Sequence, residues 1–222
     1  MTAPLEATAR EFALASMAAA YPDEEFAATV RAIGTGFNGH EGVGALFTAL
    51  EREGLDALRG RWIALFDHGK ERVSLYETEY GRMRGMSKGN DLADLAGFYH
   101  AFGLDLDATE VHEMHDHVAV ELEFYAMLLA KQAYLVAHRD EEGVAVVSDA
   151  RRKFLTDHLG GFVPAIAARL GDDEVYGPTL AWCASLVESE CRALGVTPTP
   201  LDYFADEEGR REMKCGSLPV LQ

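Results

Sequence analysis

The stretch Glu110–His138, EVHEMHDHVAVELEFYAMLLAKQAYLVAH, decides the fold. Met114, Val118, Glu121, Leu122, Tyr125, Leu128 and Leu129 recur at three- and four-residue spacing, the period that stacks side chains on one face of an α-helix. The spacing predicts a long helix over 110–138, with Asp107 or Thr109 as its N-cap.

Outward from this helix the same period continues in both directions. Phe12, Leu14, Ala15, Met17 and Ala18 predict a helix that ends before Tyr21-Pro22, and Phe26, Val30 and Ile33 mark a second, opened by Pro22. Glycines 34, 36, 39, 42 and 44 make a loop, after which Leu46, Leu55, Leu58, Ile63, Leu65 and Phe66 predict a helix with Gly60 as a candidate break. Leu92, Leu95, Phe98, Tyr99 and Phe102 predict another, closed by Gly103. Asp140-Glu141-Glu142-Gly143 reads as a turn, and helices over 150–170 and 179–194 stop at Gly171 and Gly195. No alternating strand pattern and no internal repeat stands out. The expectation is an all-α, single-domain helical bundle over residues 1–196, with a proline-containing tail over 197–222 that wraps or frays.

With 37 acidic and 20 basic residues among 222, the chain carries a formal charge of −17. Such a surface repels phosphate backbones and anionic lipid and steers cationic partners inward, so nucleic-acid binding and membrane insertion are not expected. Cys183, Cys191 and Cys215 form an odd set without Cys-x-x-Cys spacing, which fits neither a disulfide framework nor a zinc ribbon. No basic leader and no apolar run of membrane-spanning length is visible. A cytoplasmic protein, monomeric or weakly self-associating, is expected.

Candidate chemistry concentrates in two places. On a helix, His112 and Asp116, or His117 and Glu121, would each sit one turn apart, but the two pairs would point about 140° apart at 100° per residue; no single metal site and no cofactor is expected. Glu113 is followed at the third position by Asp116 rather than His, unlike the Glu-x-x-His of di-metal bundles. Gly-x-Ser-x-Gly, Walker and His-Glu-x-x-His motifs are absent from the sequence. Cys183 and Cys191, eight residues apart on an apolar helix, read as core thiols. No catalytic residues are assigned.

The second place is Ser74-Leu75-Tyr76-Glu77-Thr78-Glu79-Tyr80-Gly81, where two tyrosines interleave with two carboxylates. Rings beside negative charge suit a peptide with arginines and apolar side chains, because guanidinium groups stack on rings and pair with carboxylates. The other reading is that the tyrosines pack inward. Glycines 81, 85 and 89 punctuate the region from Asp67 to Asn90, which has the length of a functional loop and is expected to act as a mobile lid.

These blocks, taken in order, resemble the TorD/DmsD/NarJ family of chaperones for molybdenum oxidoreductases. Ala20-Tyr21-Pro22-Asp23, Leu65-Phe66-Asp67, Leu75-Tyr76-Glu77-Thr78-Glu79-Tyr80-Gly81, Leu92-Ala93-Asp94 and Tyr99-His100-Ala101-Phe102-Gly103-Leu104 match its elements along the chain. Asp116-His117-Val118-Ala119-Val120-Glu121-Leu122-Glu123-Phe124 is similar to its Asp-His-x-x-x-Glu-Leu-Glu-Phe block, and Phe154-Leu155-Thr156-Asp157-His158-Leu159 to a later Asp-His-Leu element. The chain departs from the pattern at His115, where proline commonly precedes the Asp-His pair.

The resemblance implies an all-α fold, no catalysis, and a client that is the catalytic subunit of a molybdenum oxidoreductase, bound through its twin-arginine signal peptide or N-terminal region until cofactor is inserted. The Tyr-Glu-Thr-Glu-Tyr-Gly segment looks closest to chaperones of type II dimethyl sulfoxide reductase-family enzymes, while Leu-Phe-Asp-His-Gly also resembles the nitrate reductase branch. Tyr76, Glu77, Glu79 and Tyr80 are expected to line a client-binding groove with Asp116, His117, Glu121 and Glu123; the alternative is that some of them fix the loop to the helix.

Overall fold

The computed structural model describes residues 3–33, 40–67, 73–81, 88–104 and 114–201. Among them the regular elements are helices: α1 Ala3–Ala19, α2 Glu24–Ile33, α3 Gly44–Glu53, α4 Leu55–Trp62, α5 Lys88–Ala101, α6 Val118–Ala137, α7 Glu141–Phe154, α8 Gly160–Leu170 and α9 Tyr176–Leu194. The expected all-α fold is what the chain adopts. The β-type pairing described is an isolated antiparallel bridge between Tyr76 and His117.

α6 is the central helix. Ala119, Leu122, Phe124, Tyr125, Ala126, Leu128, Leu129 and Ala133 are all buried, and a helix apolar on nearly every side must be enclosed by others. α1 lies along it and α7 returns beside it, while α9 packs against α1 and α8. Phe12 of α1 meets Tyr125 with ring centroids 4.7 Å apart, and the Ser16 hydroxyl donates to the Ala119 carbonyl at 2.8 Å. Each fully buried Leu or Phe along this seam contributes about 1.5–3 kcal/mol from surface removed from water.

α6 begins at Val118, later than its periodicity suggests. His117 is its N-cap, with an extended backbone and a ring that accepts from the Ala119 N–H, while Met114–Asp116 is not helical. The expected caps Asp107 and Thr109 lie outside the described residues, as does His112. The cause is tertiary: the backbone ahead of Val118 is committed to a neighbouring segment, Val118 N–H donating to the Leu75 carbonyl at 2.9 Å.

Two further boundaries differ from expectation. The helix over 46–66 breaks at Gly54, not Gly60: Gly54 has φ +85° and ends α3 with its N–H on the Leu50 carbonyl, a conformation that glycine adopts without steric cost. Asp140-Glu141-Glu142-Gly143 opens α7 rather than forming a turn, since the Asp140 carboxylate accepts from the Gly143 N–H at 2.9 Å and Glu141 and Glu142 lie in the first helical turn, favoured by the helix dipole. Gly103, Gly171 and Gly195 have φ of +79°, +63° and +66° at their helix ends, as their positions suggested.

α7 runs into α8 through a π-helical turn, Leu155–Leu159. Pro164 sits early in α8. A methyl group on Gly160 would collide with Pro198, and one on Gly161 with the Thr199 carbonyl; the two glycines form the bed on which the start of the tail lies. Residues 202–222 lie outside the described residues. Cys183 and Cys191 are buried, and burial pushes the Cys183 thiol up to about 12, in keeping with core thiols; Cys215 lies outside the described residues. No helix among the described residues is long and apolar enough to cross a membrane.

Candidate functional site

The segment 73–81 is held against the start of α6 by a short run of hydrogen bonds. Glu77 N–H donates to the Asp116 carbonyl at 2.9 Å, and the Thr78 N–H and hydroxyl both donate to the Asp116 carboxylate, at 3.2 and 2.6 Å. The Tyr76 and His117 rings meet edge to face at 5.1 Å. Val73, Ser74, Leu75, Glu77, Thr78 and Tyr80 are buried. The expected lid over 67–90 therefore does not describe 73–81, which is packed into the fold; 68–72 and 82–87 lie outside the described residues.

The eight residues expected to share one groove divide by burial. Asp116, His117 and Glu121 are fully enclosed, and Asp116 and His117 make the contacts that join loop to helix. Tyr80 is also internal, its hydroxyl donating to the Ser74 carbonyl at 2.7 Å and its ring lying 5.3 Å from that of Phe162. Tyr76 and Glu79 are half-buried. Glu123 is exposed and, two positions after Glu121 on the helix, points about 200° away from it.

Glu77 connects this junction to a cleft. A cavity of about 340 Å³ is lined by Glu77, Asp91 and Asp94 of α5, Asp157 and His158 of the π-turn, and Thr199 and Leu201 of the tail. His158 bridges two carboxylates: its Nδ1 lies 3.1 Å from Glu77 Oε2 and its Nε2 3.2 Å from Asp94 Oδ2. Both ring nitrogens can donate at once only in the imidazolium. Burial opposes that charge, but the bonds and charges of Glu77 and Asp94 outweigh it and raise the His158 pKa. Burial likewise raises the Glu77 carboxyl, opposed by His158 and reinforced by Asp91 and Asp116.

The Asp94 side chain is 62% exposed while those of Glu77 and His158 are 9% and 4% exposed. The cleft thus has a buried ion pair at its floor and carboxylates at its mouth, a negatively charged lining chemically suited to a cationic group. A larger depression, about 590 Å³, lies beside α3 and α4, but its Arg61 is already paired with Glu53 at 3.1 Å. Asp91, Asp94, Asp157 and His158 were not among the expected site residues. The signal for two of them was the Asp157-His158 motif, and the π-turn that presents it is a feature frequent at functional sites.

A family model described as the nitrate reductase delta subunit matches residues 24–168. The chain belongs to this family, of the NarJ/TorD chaperone type. The perchlorate reductase assembly chaperone protein of Dechloromonas aromatica (strain RCB) is 37% identical over 79 residues, which cover 36% of this chain and 34% of that protein. The matched part is about a third of that relative's length. A solved structure from Archaeoglobus fulgidus, described as a redox enzyme maturation protein, has 18% identity and a TM-score of 0.48 over 81% of this chain and 93% of its own. Among the described residues, no group of three or more His, Cys, Asp or Glu is placed to hold a metal ion.

Proposed function

We propose that this protein is a non-catalytic, cytoplasmic assembly chaperone that binds the signal peptide or N-terminal region of a molybdenum oxidoreductase's catalytic subunit and holds the apoenzyme until its cofactor is inserted. Family membership supports the chaperone role. The observation that supports a cationic client segment is the cleft itself, where Asp91, Asp94 and Asp157 stand at the mouth over the Glu77–His158 pair. An arginine entering there exchanges solvent for a carboxylate-lined wall, with Tyr76 and Glu79 on the adjoining segment as further contacts. Asp116, His117 and Glu121 act from behind, holding that segment in place.

The name of the matching family favours a second reading, a nitrate reductase-type client, which in this reading stays unexported; the name of the curated relative favours a perchlorate reductase-like client. Both readings use the same cleft. The test is calorimetric titration of the full chain with a synthetic peptide spanning the N-terminal region of the catalytic subunit captured with it from its native host. Binding is expected to weaken with added salt and to fall at least tenfold in Asp94→Asn/Asp157→Asn; undiminished binding in that variant places the client elsewhere.

A further inference from the structure

Behind the cleft lies a buried acid that the client-binding reading does not use. Glu121 has no exposed surface, and neither of its carboxyl oxygens has a hydrogen-bond partner. A second carboxylate, Asp116, is equally enclosed, with one oxygen on Thr78 and Oδ1 without a partner. A third, Glu77, is close enough for its charge to act on Glu121. The three come from different places: the 73–81 segment, the turn before α6 and the first turn of α6 itself.

The surroundings offer little to neutralise three negative charges. From the 73–81 segment, Glu77 faces Glu121; from the turn, Asp116; from α5, the Tyr99 phenol, whose ionisation is further disfavoured by these same carboxylates. Of these three carboxylates His158 of the π-turn pairs with Glu77, its other ring nitrogen being taken by Asp94 of α5, and Asp91 of α5 adds negative charge toward Glu77. At the N-cap of α6 the His117 Nδ1 accepts from the Ala119 N–H, and on α1 the Ser16 hydroxyl is engaged with the Ala119 carbonyl. A carboxylate placed here without donors would carry the full cost of desolvation together with like-charge repulsion, so the neutral acid is the form that fits.

We propose that Glu121 is the proton-held pin of a latch: while it keeps its proton the 73–81 segment stays closed on α6, and loss of that proton loosens the segment through repulsion from Glu77 and Asp116. Because 73–81 carries Glu77 to the client cleft, the latch ties the shape of the cleft to proton concentration. That consequence for the client rests on the function proposed above, whereas the latch itself does not.

The direction in pH follows from where the proton is held. Burial first, and then the charges of Glu77 and Asp116, raise the Glu121 carboxyl well above 4.5. The folded state therefore keeps a proton that the unfolded chain releases. Stability is full below 4.5 and falls as pH rises toward the folded value, the folding equilibrium constant dropping about tenfold per pH unit for this one proton. Glu121→Gln keeps the shape and the neutral form at every pH.

The test is run on the free full-length protein, so that it is independent of any client. Protection of the Glu77, Thr78 and Val118 amides, corrected for intrinsic exchange, and the urea midpoint are followed from pH 5 to 8 in the wild type and in Glu121→Gln. Protection and midpoint are expected to fall with pH in the wild type and to fall markedly less in Glu121→Gln, the variant being the more stable at pH 8. Equal pH slopes in the two proteins overturn the proposal. Should the variant not fold, carboxyl-carbon NMR of uniformly ¹³C,¹⁵N-labelled wild type decides: the signal assigned to Glu121 through its backbone connectivity titrating far above 4.5 supports the pin, and that signal titrating in the ordinary carboxylate range refutes it, whatever Glu77 does.

Discussion

His158 Nδ1 lies 3.1 Å from Glu77 Oε2 although the two residues are 81 positions apart in the chain. The pair fastens the π-turn between α7 and α8 to the 73–81 segment, and through the other ring nitrogen to Asp94 of α5. Three elements distant in sequence thus meet on one imidazolium.

Removing that imidazolium leaves Glu77 buried without its cation. His158→Gln is expected to cost about 3–5 kcal/mol in urea unfolding, the range for breaking a buried ion pair from one side. The His158 pKa is raised, so its contribution is fully present below 6.5 and is lost as pH rises through the folded value. A wild type and variant that converge in stability at alkaline pH would meet this expectation; a constant gap from pH 5 to 9 would not.

The buried pair of Arg151 and Glu190 offers a contrasting case. Arg151 donates to Glu190, which also accepts from the Tyr125 hydroxyl at 2.8 Å, joining α6, α7 and α9. Arg151→Met alone is expected to destabilise by about 3–5 kcal/mol, whereas Arg151→Met with Glu190→Leu should recover most of it, because the desolvation penalty of both charges then disappears. Equal losses in the single and double variants would mean that the residues pack rather than pair. Thermal denaturation reads both.

Gly54 and Gly161 separate two uses of glycine. Gly54→Ala meets no neighbouring atom but must hold φ +85° with ψ 169°, a region essentially reserved for glycine, which costs about 1–3 kcal/mol. Gly161→Ala suffers no unusual φ, yet its methyl would strike the Thr199 carbonyl, so the start of the tail must lift. Gly161→Ala is expected to raise hydrogen exchange at Thr199 and Leu201 and to alter client affinity, since both residues line the cleft; Gly54→Ala should lower the melting temperature and leave affinity unchanged.

Salt provides a check on which charges act at the cleft. Asp94→Asn removes a carboxylate whose side chain is mostly in solvent but which accepts from the buried His158 ring, so urea stability should fall by only about 0.5–1.5 kcal/mol, well short of His158→Gln. Its effect should instead be seen in the slope of client affinity against salt, which becomes shallower as one charge pair is lost. An unchanged slope would assign the electrostatic attraction to other carboxylates.

Much of this was legible from residue order alone, for a definite reason. Helical periodicity, the glycines at 103, 171 and 195, and the core thiols follow from local backbone geometry and from apolar surface that must leave water, and both act within a few residues along the chain. The charge of −17 already turned the search toward cationic partners. The ordered motifs marked 76–80 and 116–123 as places of interest without saying which side chains are enclosed. What only the tertiary structure decided depends on contacts across long separations: that α6 starts at Val118 because Leu75 and Glu77 engage the backbone of Val118 and Asp116, that Asp116, His117 and Glu121 turn inward while Glu123 turns out, and that Asp94 and His158 join Glu77 at one cleft. Each depends on a partner tens of residues away, and no local pattern encodes the burial that sets whether a carboxylate is a ligand for a client or an acid that keeps its proton.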